Sequence, residues 1–180
     1  CTYCDTEYAF HDGQKRSLSE VIKEIEAYKC QLVEITGGEP LLQDDVYPLM
    51  THLSTHGWTV LLETGGHHST ERVPSEVITI LDVKCPGSGE SDRNDLTNLN
   101  RLRQRDELKF VIKDREDYDF ACDVMQRHAV AESATTVHFS PVHGVLAPKQ
   151  LSEWILEDGL QVRLQLQAHK YIWGPTARSV

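Results

Sequence analysis

Short runs rich in Val, Ile and Leu recur along this chain, and most are separated by stretches with the periodicity of a helix. The runs are "QLVEIT" (31–36), "WTVLLET" (58–64), "VITILDVK" (77–84), "ELKFVI" (107–112), "TTVHFS" (135–140) and "VRLQLQ" (162–167). Each has the length and composition of a strand. "SLSEVIKEIEAYK" (17–29) opens with Ser17 three residues before Glu20, the spacing of a capping box, and places Val21, Ile22, Ile25 and Tyr28 on one helical face. "DDVYPLMTHLSTHG" (44–57) predicts a second helix, closed by Gly57, and further helices are expected near 94–105, 115–129 and 148–157. Strands that alternate with helices imply a parallel sheet with right-handed crossovers, so the expected class is α/β. The runs carry enough Val, Ile and Leu to be buried on both faces of such a sheet. About six strands are visible, and an opening strand before residue 1 would fit the same alternation.

"CPGSGESDRNDLTN" (85–98) interrupts this rhythm and has no apolar period. As a loop directly after a strand, it belongs at the carboxyl edge of the sheet, where α/β folds bind ligands. The rest of the composition narrows the partners. The chain has 180 residues, 39% of them hydrophobic, which suits one domain over 1–180 with a sizeable core. A net charge of -10 opposes nucleic acid and anionic membranes, which need basic surfaces to displace counterions. No apolar run approaches the ~18 residues of a membrane helix. Five cysteines at irregular spacing argue against a secreted disulfide framework and for reduced thiols in the cytoplasm. A small-molecule ligand fits these constraints.

Cys1 and Cys4, two residues apart, can converge on one metal or cluster, and thiolates select zinc or iron–sulfur over hard cations. A zinc site would want a second Cys/His pair at comparable spacing. A thioredoxin-like pair would sit between a strand and a helix, whereas polar residues follow Cys4 here. Two unrelated thiols remain the plain alternative. The second signal is "ITGGEPLLQ" (35–43), coming off a strand. Gly37 and Gly38 let backbone approach a ligand closely, and Glu39, held before Pro40, offers a carboxylate to a cation such as an amino group. The competing reading is an ordinary turn from strand to helix. It is not a phosphate loop, because the Lys-Ser/Thr that follows such a loop is absent.

Taken together, the Cys-x-x-Cys pair and the Gly-Gly-Glu-Pro segment a helix and a strand later resemble the radical S-adenosylmethionine superfamily. There, three cysteines, usually spaced Cys-x3-Cys-x2-Cys, hold a 4Fe-4S cluster. Its fourth iron binds the amino and carboxylate groups of S-adenosyl-L-methionine, whose amino group is received by Gly-Gly-Glu-Pro. Cys1 and Cys4 match the second and third of these cysteines; the first is expected upstream, and without it these residues are expected to hold no cluster in the usual way and to be inactive. A narrower resemblance, to the 7-carboxy-7-deazaguanine synthases, covers nearly the whole chain. It rests on "CDT" (4–6), "VEITGGEPLLQ" (33–43), "LLETGG" (61–66), "DVKCPGSG" (82–89), "LKFVI" (108–112), "FSPVHG" (139–144) and "LQLQAHKYIWG" (164–174).

That resemblance implies a lyase with an incomplete (β/α) barrel of the radical S-adenosylmethionine type, acting as a homodimer with Mg2+ and a reductant such as flavodoxin. The reaction implied converts a pterin, 6-carboxy-5,6,7,8-tetrahydropterin, to 7-carboxy-7-deazaguanine with loss of ammonia, on the way to queuosine and other 7-deazapurines. It matches Thr6 to a magnesium ligand and Thr36 to a substrate contact. Gly37, Gly38, Glu39, Asp82, Val83, Lys84, Phe139, Ser140, Pro141 and Val142 match the S-adenosylmethionine contacts. A turn Thr that caps nearby backbone is the alternative for Thr6. Glu63, ending a strand, suits the cofactor's ribose hydroxyls or merely closes a strand. His169 faces the substrate or is held by backbone partners. Cys30, Cys85 and Cys122 are not expected to ligate the cluster, although Cys85 lies in the ligand loop and is the one to compete for metal. His67, His68, His138 and His143 are read as structural or surface residues, with His143 near enough to the "FSPV" segment to support it. Two other readings stay open. One is a radical enzyme that places a glycyl radical on a protein partner, and the other is a zinc-binding module.

Overall fold

The computed structural model describes residues 1–4, 6–11, 13–130 and 135–177, with backbone alone at 9 and 10. Asp5 of the "CDT" segment lies outside the described residues. Strands β1 (Leu32–Ile35), β2 (Thr59–Thr64), β3 (Ile78–Asp82), β4 (Glu107–Ile112), β5 (Thr136–Pro141) and β6 (Arg163–Leu164) form one six-stranded sheet, laid side by side in chain order. Every neighbouring pair is parallel. Each connection therefore returns the chain to the starting edge, and all the strands end on one rim. β1 and β6 are the two edges, so the barrel is incomplete, as expected.

The helices are α1 (Leu18–Ala27), α2 (Val46–Thr55), α3 (Arg115–Arg127), α4 (Pro148–Glu157) and the short α5 (Ala168–Ile172). The capping box of α1 forms: Ser17 Oγ accepts from the Glu20 amide at 3.3 Å, and Glu20 Oε2 accepts from the Ser17 amide at 2.7 Å. Gly57 follows α2 at φ 95°, a conformation that favours glycine. Met50 and Leu53 of α2 pack on Val60 and Leu62 of β2. Tyr118 of α3 and Leu151 of α4 pack on Phe110 of β4 and Phe139 of β5. Phe139 meets both Phe110 and Tyr118 edge to face, with ring centroids 5.7 Å apart in each pair.

Two expectations need correction. The helix expected over 94–105 is a 3-10 segment, Leu96–Arg101, and no α-helix lies between β2 and β3 or between β3 and β4. Polar side chains take the place of helical packing there. Asn98, fully buried, accepts from the Thr70 amide at 3.0 Å and donates to the His68 carbonyl at 2.9 Å. Asp106 accepts from the Thr79 amide and the Arg103 amide, both at 2.8 Å. Such bonds offer the backbone an alternative to a helical ladder, and the segment takes it. Burial on both faces holds for β5, where Val137 through Pro141 are all buried, but not for β4. Along β4, Leu108, Phe110 and Ile112 are buried under helices, whereas Glu107, Lys109 and Val111 on the other face are half-exposed.

No helix among the described residues is long and apolar enough to cross a membrane. The packing makes a direct prediction. Phe110→Ala should cost about 3–5 kcal/mol in urea unfolding, while Leu156→Ala on the exposed side of α4 should stay within ~0.5 kcal/mol of the parent. Equal costs at the two positions would contradict the core described here.

Candidate active site

The Cys1–Cys4 turn is fastened across the rim to the loop that follows β3. The Thr2 amide donates to the Ser88 carbonyl at 2.9 Å, and Thr2 Oγ1 donates to the Gly87 carbonyl at 2.7 Å. Tyr3 Oη reaches the Val111 carbonyl in β4 at 3.2 Å. Burial, and behind it the charges of Cys85, Asp82 and Asp117, push the Tyr3 hydroxyl far above its ordinary range, so it stays a donor. Both cysteines are half-buried and unbonded to each other. Cys4 Sγ lies 3.6 Å from Thr6 Oγ1, and Thr6, although it precedes a 3-10 turn, makes no capping bond with its side chain. Its hydroxyl oxygen is thus turned to the thiol rather than to backbone.

The Gly-Gly-Glu-Pro turn leaves β1 with Gly37 at φ 140°, where a side chain would meet open space but strained backbone. The carboxylate of Glu39 has structural partners that the sequence did not reveal. It is buried, with Oε1 accepting from Thr64 Oγ1 at 2.8 Å and from the Leu41 amide at 3.0 Å, and Oε2 accepting from the Gly65 amide at 2.9 Å. These bonds tie the β1 turn to the end of β2. What the turn presents outward is Thr36, Gly37 and Gly38, all exposed.

Charged side chains line the face of the sheet away from the helices. Asp82, Lys109, His138 and Arg163 are register partners on β3 to β6 and form one row across it. Lys84 Nζ donates to Asp82 Oδ2 at 2.8 Å, and Lys109 Nζ donates to Glu63 Oε1 at 2.5 Å. Burial alone would lower the Lys84 ammonium; Asp82, with Glu63 and Cys4 beyond it, outweighs that and holds it raised. Burial likewise pulls Lys109 down, and Asp82 and Glu63 carry it back up. Both lysines stay charged. Asp82 Oδ1 is buried and has no hydrogen-bond partner among the described residues, an open acceptor beside the Cys1–Cys4 turn. His138 Nε2 stands 2.9 Å from Glu107 Oε2 but out of line for a hydrogen bond, and neither ring nitrogen has another partner.

The structure thus gathers Cys4, Thr6, Glu63, Asp82 and Lys84 with the Gly-Gly turn around one rim. It sends the side chains of Val83 and Phe139 into the core behind the sheet, so those segments can offer a ligand only their backbone and the neighbouring Lys84 and Ser140. Pro141 and Val142 are buried where β5 ends, with the Val142 amide donating to the Ile112 carbonyl at 2.9 Å. His169 is half-buried in α5, which leans on the β5 rim through Tyr171 against His143 at 5.4 Å between ring centroids. Cys85 is buried in the core, and burial followed by Asp117 and Asp82 pushes its thiol far up, so it is not a competitor for metal. Cys30 is exposed and Cys122 packs against the core from α3. Lys109, Glu34 and Glu107 escaped notice in the sequence, and His138, read there as structural or surface, stands in the same charged row. The signal for them was charge at alternate positions of otherwise apolar strands.

The two half-buried thiols are soft donors that suit iron–sulfur. Among the described residues, no group of three or more His, Cys, Asp or Glu side chains is gathered that could hold a metal ion. The orphaned Asp82 oxygen and the open Gly37 backbone suit a ligand rich in N–H and O–H donors, as S-adenosylmethionine is.

Residues 1–82 match the family model of the Radical SAM superfamily. The 7-carboxy-7-deazaguanine synthase of Koribacter versatilis is 43% identical over 194 aligned residues, which cover 100% of this chain and 86% of that protein. The synthase of Chlorobaculum tepidum is 40% identical over 183 residues, with 100% and 83% covered. Among solved structures, Streptococcus suis SuiB bound to S-adenosylmethionine superposes with a TM-score of 0.60 at 10% identity, covering 92% of this chain. The chain spans 45% of that structure, and the likeness is one of fold.

The carboxylates on the charged face give a test by pH. Partial burial first, then the Glu63 charge, raises Glu34 against the pull of Lys109, although Glu34 is exposed on the edge strand β1 and solvent screens much of the effect. Folded Glu34 therefore holds its proton more tightly than unfolded Glu34, and the stability it contributes is lost as pH rises through the raised value. Glu34→Gln keeps the shape and drops the charge. Because Glu34 is exposed, the variant should melt only slightly higher than the parent near about pH 7 and lose that advantage below about pH 4, where both side chains are neutral. Thermal scans by circular dichroism at the two pH values decide it; a parent that melts as high as the variant at neutral pH contradicts the assignment.

Proposed function

The chain belongs to the 7-carboxy-7-deazaguanine synthases of the radical S-adenosylmethionine superfamily, and from this we propose that it converts 6-carboxy-5,6,7,8-tetrahydropterin to 7-carboxy-7-deazaguanine with loss of ammonia. The product feeds the formation of queuosine and related 7-deazapurines. The observation that carries this reading is identity along the whole chain, at 43%, to a relative of that name. The rim that joins the Cys1–Cys4 turn, the Gly-Gly turn and the Asp82–Lys84 pair supports it.

When bound, a 4Fe-4S cluster and S-adenosylmethionine supply the electron and the homolytic bond cleavage that start the reaction. Cys1 and Cys4 would hold the cluster. Gly37 and Gly38 present backbone to the cofactor's methionine end and Thr36 offers its hydroxyl to the substrate, while Glu39 keeps that turn at a fixed distance from β2. Lys84 neutralises Asp82 through one oxygen and leaves Asp82 Oδ1 to accept from the cofactor. Ser140, with the backbone of Phe139, Pro141 and Val142, closes the opposite side and keeps water out. The inner face below receives the pterin. Its carboxylates, Glu63 and Glu107 among them, match the N–H groups of an aminopyrimidinone edge, and Lys109 keeps Glu63 in place. Thr6 supplies a neutral oxygen to Mg2+, a donor this hard cation accepts. His169 guards the substrate from the α5 side.

The enzyme works as a homodimer and takes its electrons from a reductant of the flavodoxin kind. Exposed Leu164, Leu166, Tyr171, Ile172 and Trp173, grouped near the β6 edge, support an apolar subunit contact.

The full-length protein, carrying these residues together with the first cluster cysteine expected upstream of them, reconstituted anaerobically with iron and sulfide should, with S-adenosylmethionine, Mg2+ and a reductant, form 7-carboxy-7-deazaguanine and ammonia, detected by mass spectrometry. Intact cluster without deazapurine would sink the assignment. Lys84→Ala should lower kcat/KM by about 10–100-fold, as loss of a supporting partner at such sites does, and Thr6→Ala should raise the Mg2+ concentration needed for half-maximal rate by at least about tenfold. A Thr6→Ala enzyme with unchanged Mg2+ dependence would remove Thr6 from the metal site.

A further inference from the structure

The carboxylate of Asp117 lies behind the rim and belongs to none of the segments described as touching a ligand. It is fully buried in the first turn of α3. Oδ1 accepts from the Gly87 amide at 2.6 Å, and Oδ2 accepts from the Lys113 amide at 2.9 Å. Gly87 lies in the loop after β3; Lys113 directly follows β4. One carboxylate therefore sets the separation of two strand ends, through charge-assisted bonds to backbone that a helix N-terminus further favours. The approach is close enough that a Cβ on Gly87 would fall 2.6 Å from Asp117 Oδ2.

Those two strand ends are the ones that carry the Cys1–Cys4 turn. Thr2, between the cysteines, bonds to the carbonyls of Gly87 and Ser88, and Tyr3 bonds to the carbonyl of Val111. The Gly87 peptide is thus gripped from both sides, its amide by Asp117 and its carbonyl by Thr2. Ser88 is locked in turn, its Oγ donating to the Cys85 carbonyl at 2.6 Å.

We infer that Asp117 is a positioning residue for the two cluster cysteines, acting through the Gly87–Ser88 turn and Thr2 to fix where Cys1 and Cys4 present their sulfurs. The inference rests on the reading of Cys1 and Cys4 as cluster ligands. An asparagine at 117 keeps one acceptor oxygen and turns an NH2 donor toward the other backbone amide, so one of the two strand ends is released.

The test compares the full-length parent protein, carrying the first cluster cysteine expected upstream, with Asp117→Asn, and with Asp119→Asn as a control on the exposed side of the same helix. Two readouts are taken. In the metal-free protein, alkylation of Cys1 and Cys4 is timed by mass spectrometry against Cys30, which is exposed and remote from the turn. In the reconstituted protein, iron and sulfide per chain and the electron paramagnetic resonance of the reduced cluster are measured with and without S-adenosylmethionine. Asp117→Asn is expected to speed alkylation of Cys1 and Cys4 severalfold with Cys30 unchanged, and to weaken cluster retention by about tenfold, the effect typical of an outer partner of a metal ligand. Its cluster signal should also change shape. Asp119→Asn should match the parent in both. Thr2→Val, which breaks the same relay at an exposed position, should reproduce the changes if Asp117→Asn fails to fold. Unchanged alkylation in the variant that folds overturns the inference, even if its melting temperature drops. Faster alkylation with a parent that takes up no iron–sulfur cluster leaves the positioning role standing and overturns the cluster reading instead.

Discussion

Parallel pairing in strict chain order is the constraint on which the molecule depends. It sends every strand in the same direction and so collects every strand end on one rim. Residues far apart in sequence, such as Thr6, Glu39, Asp82 and Ser140, owe their common neighbourhood to that rule. It also decides which side chains are available. Along any strand, one residue in two goes to the helices and the other to the inner face, so Phe139 packs in the core while Ser140 faces inward.

The inner face is costly to build. Carboxylates and ammonium groups taken from water lose hydration, and the loss is recovered only where opposite charges meet in good geometry. Lys84 with Asp82 and Lys109 with Glu63 meet that condition. Among the described residues, His138 and the second oxygen of Asp82 do not. Groups left in that state are a drain on stability in the protein alone, and a bound ligand that satisfies them recovers what folding gave up. The same argument explains why the scaffold behind the site is tied by Asn98, Asp106 and Asp117, whose bonds are complete, rather than by packing alone.

Much of this was legible in the amino-acid order. Five of the six strands fall within the short apolar runs and β5 overruns its own by one residue, Pro141, while the capped start of α1 and the glycine close of α2 are where periodicity and capping chemistry put them. The crossover around Asn98 was not legible, because a buried side chain that bonds distant backbone leaves no local pattern. The charged face was legible in principle: Glu107 and Lys109 alternate with Leu108 and Phe110, yet the richness in Val, Ile and Leu concealed the alternation. Cysteine and glycine spacing pointed to segments that the structure brings to one rim. It did not show that Glu39 also clamps that rim, because the donors to its carboxylate, Thr64 and Gly65, lie a whole crossover later.

That clamp has a further consequence. The donors to Glu39 are neutral amides and a hydroxyl, in a buried setting that mobile ions do not reach. The charge of the chain as a whole, by contrast, is carried largely on its surface, where ions screen it beyond about 8 Å at physiological strength. Ionic strength therefore has little leverage over the shape of the mouth and considerable leverage over traffic toward it. A carboxylated molecule drifting up to a body of net charge -10 meets repulsion that dissolved salt relieves, so the medium governs how often the mouth is visited while the protein alone governs what fits.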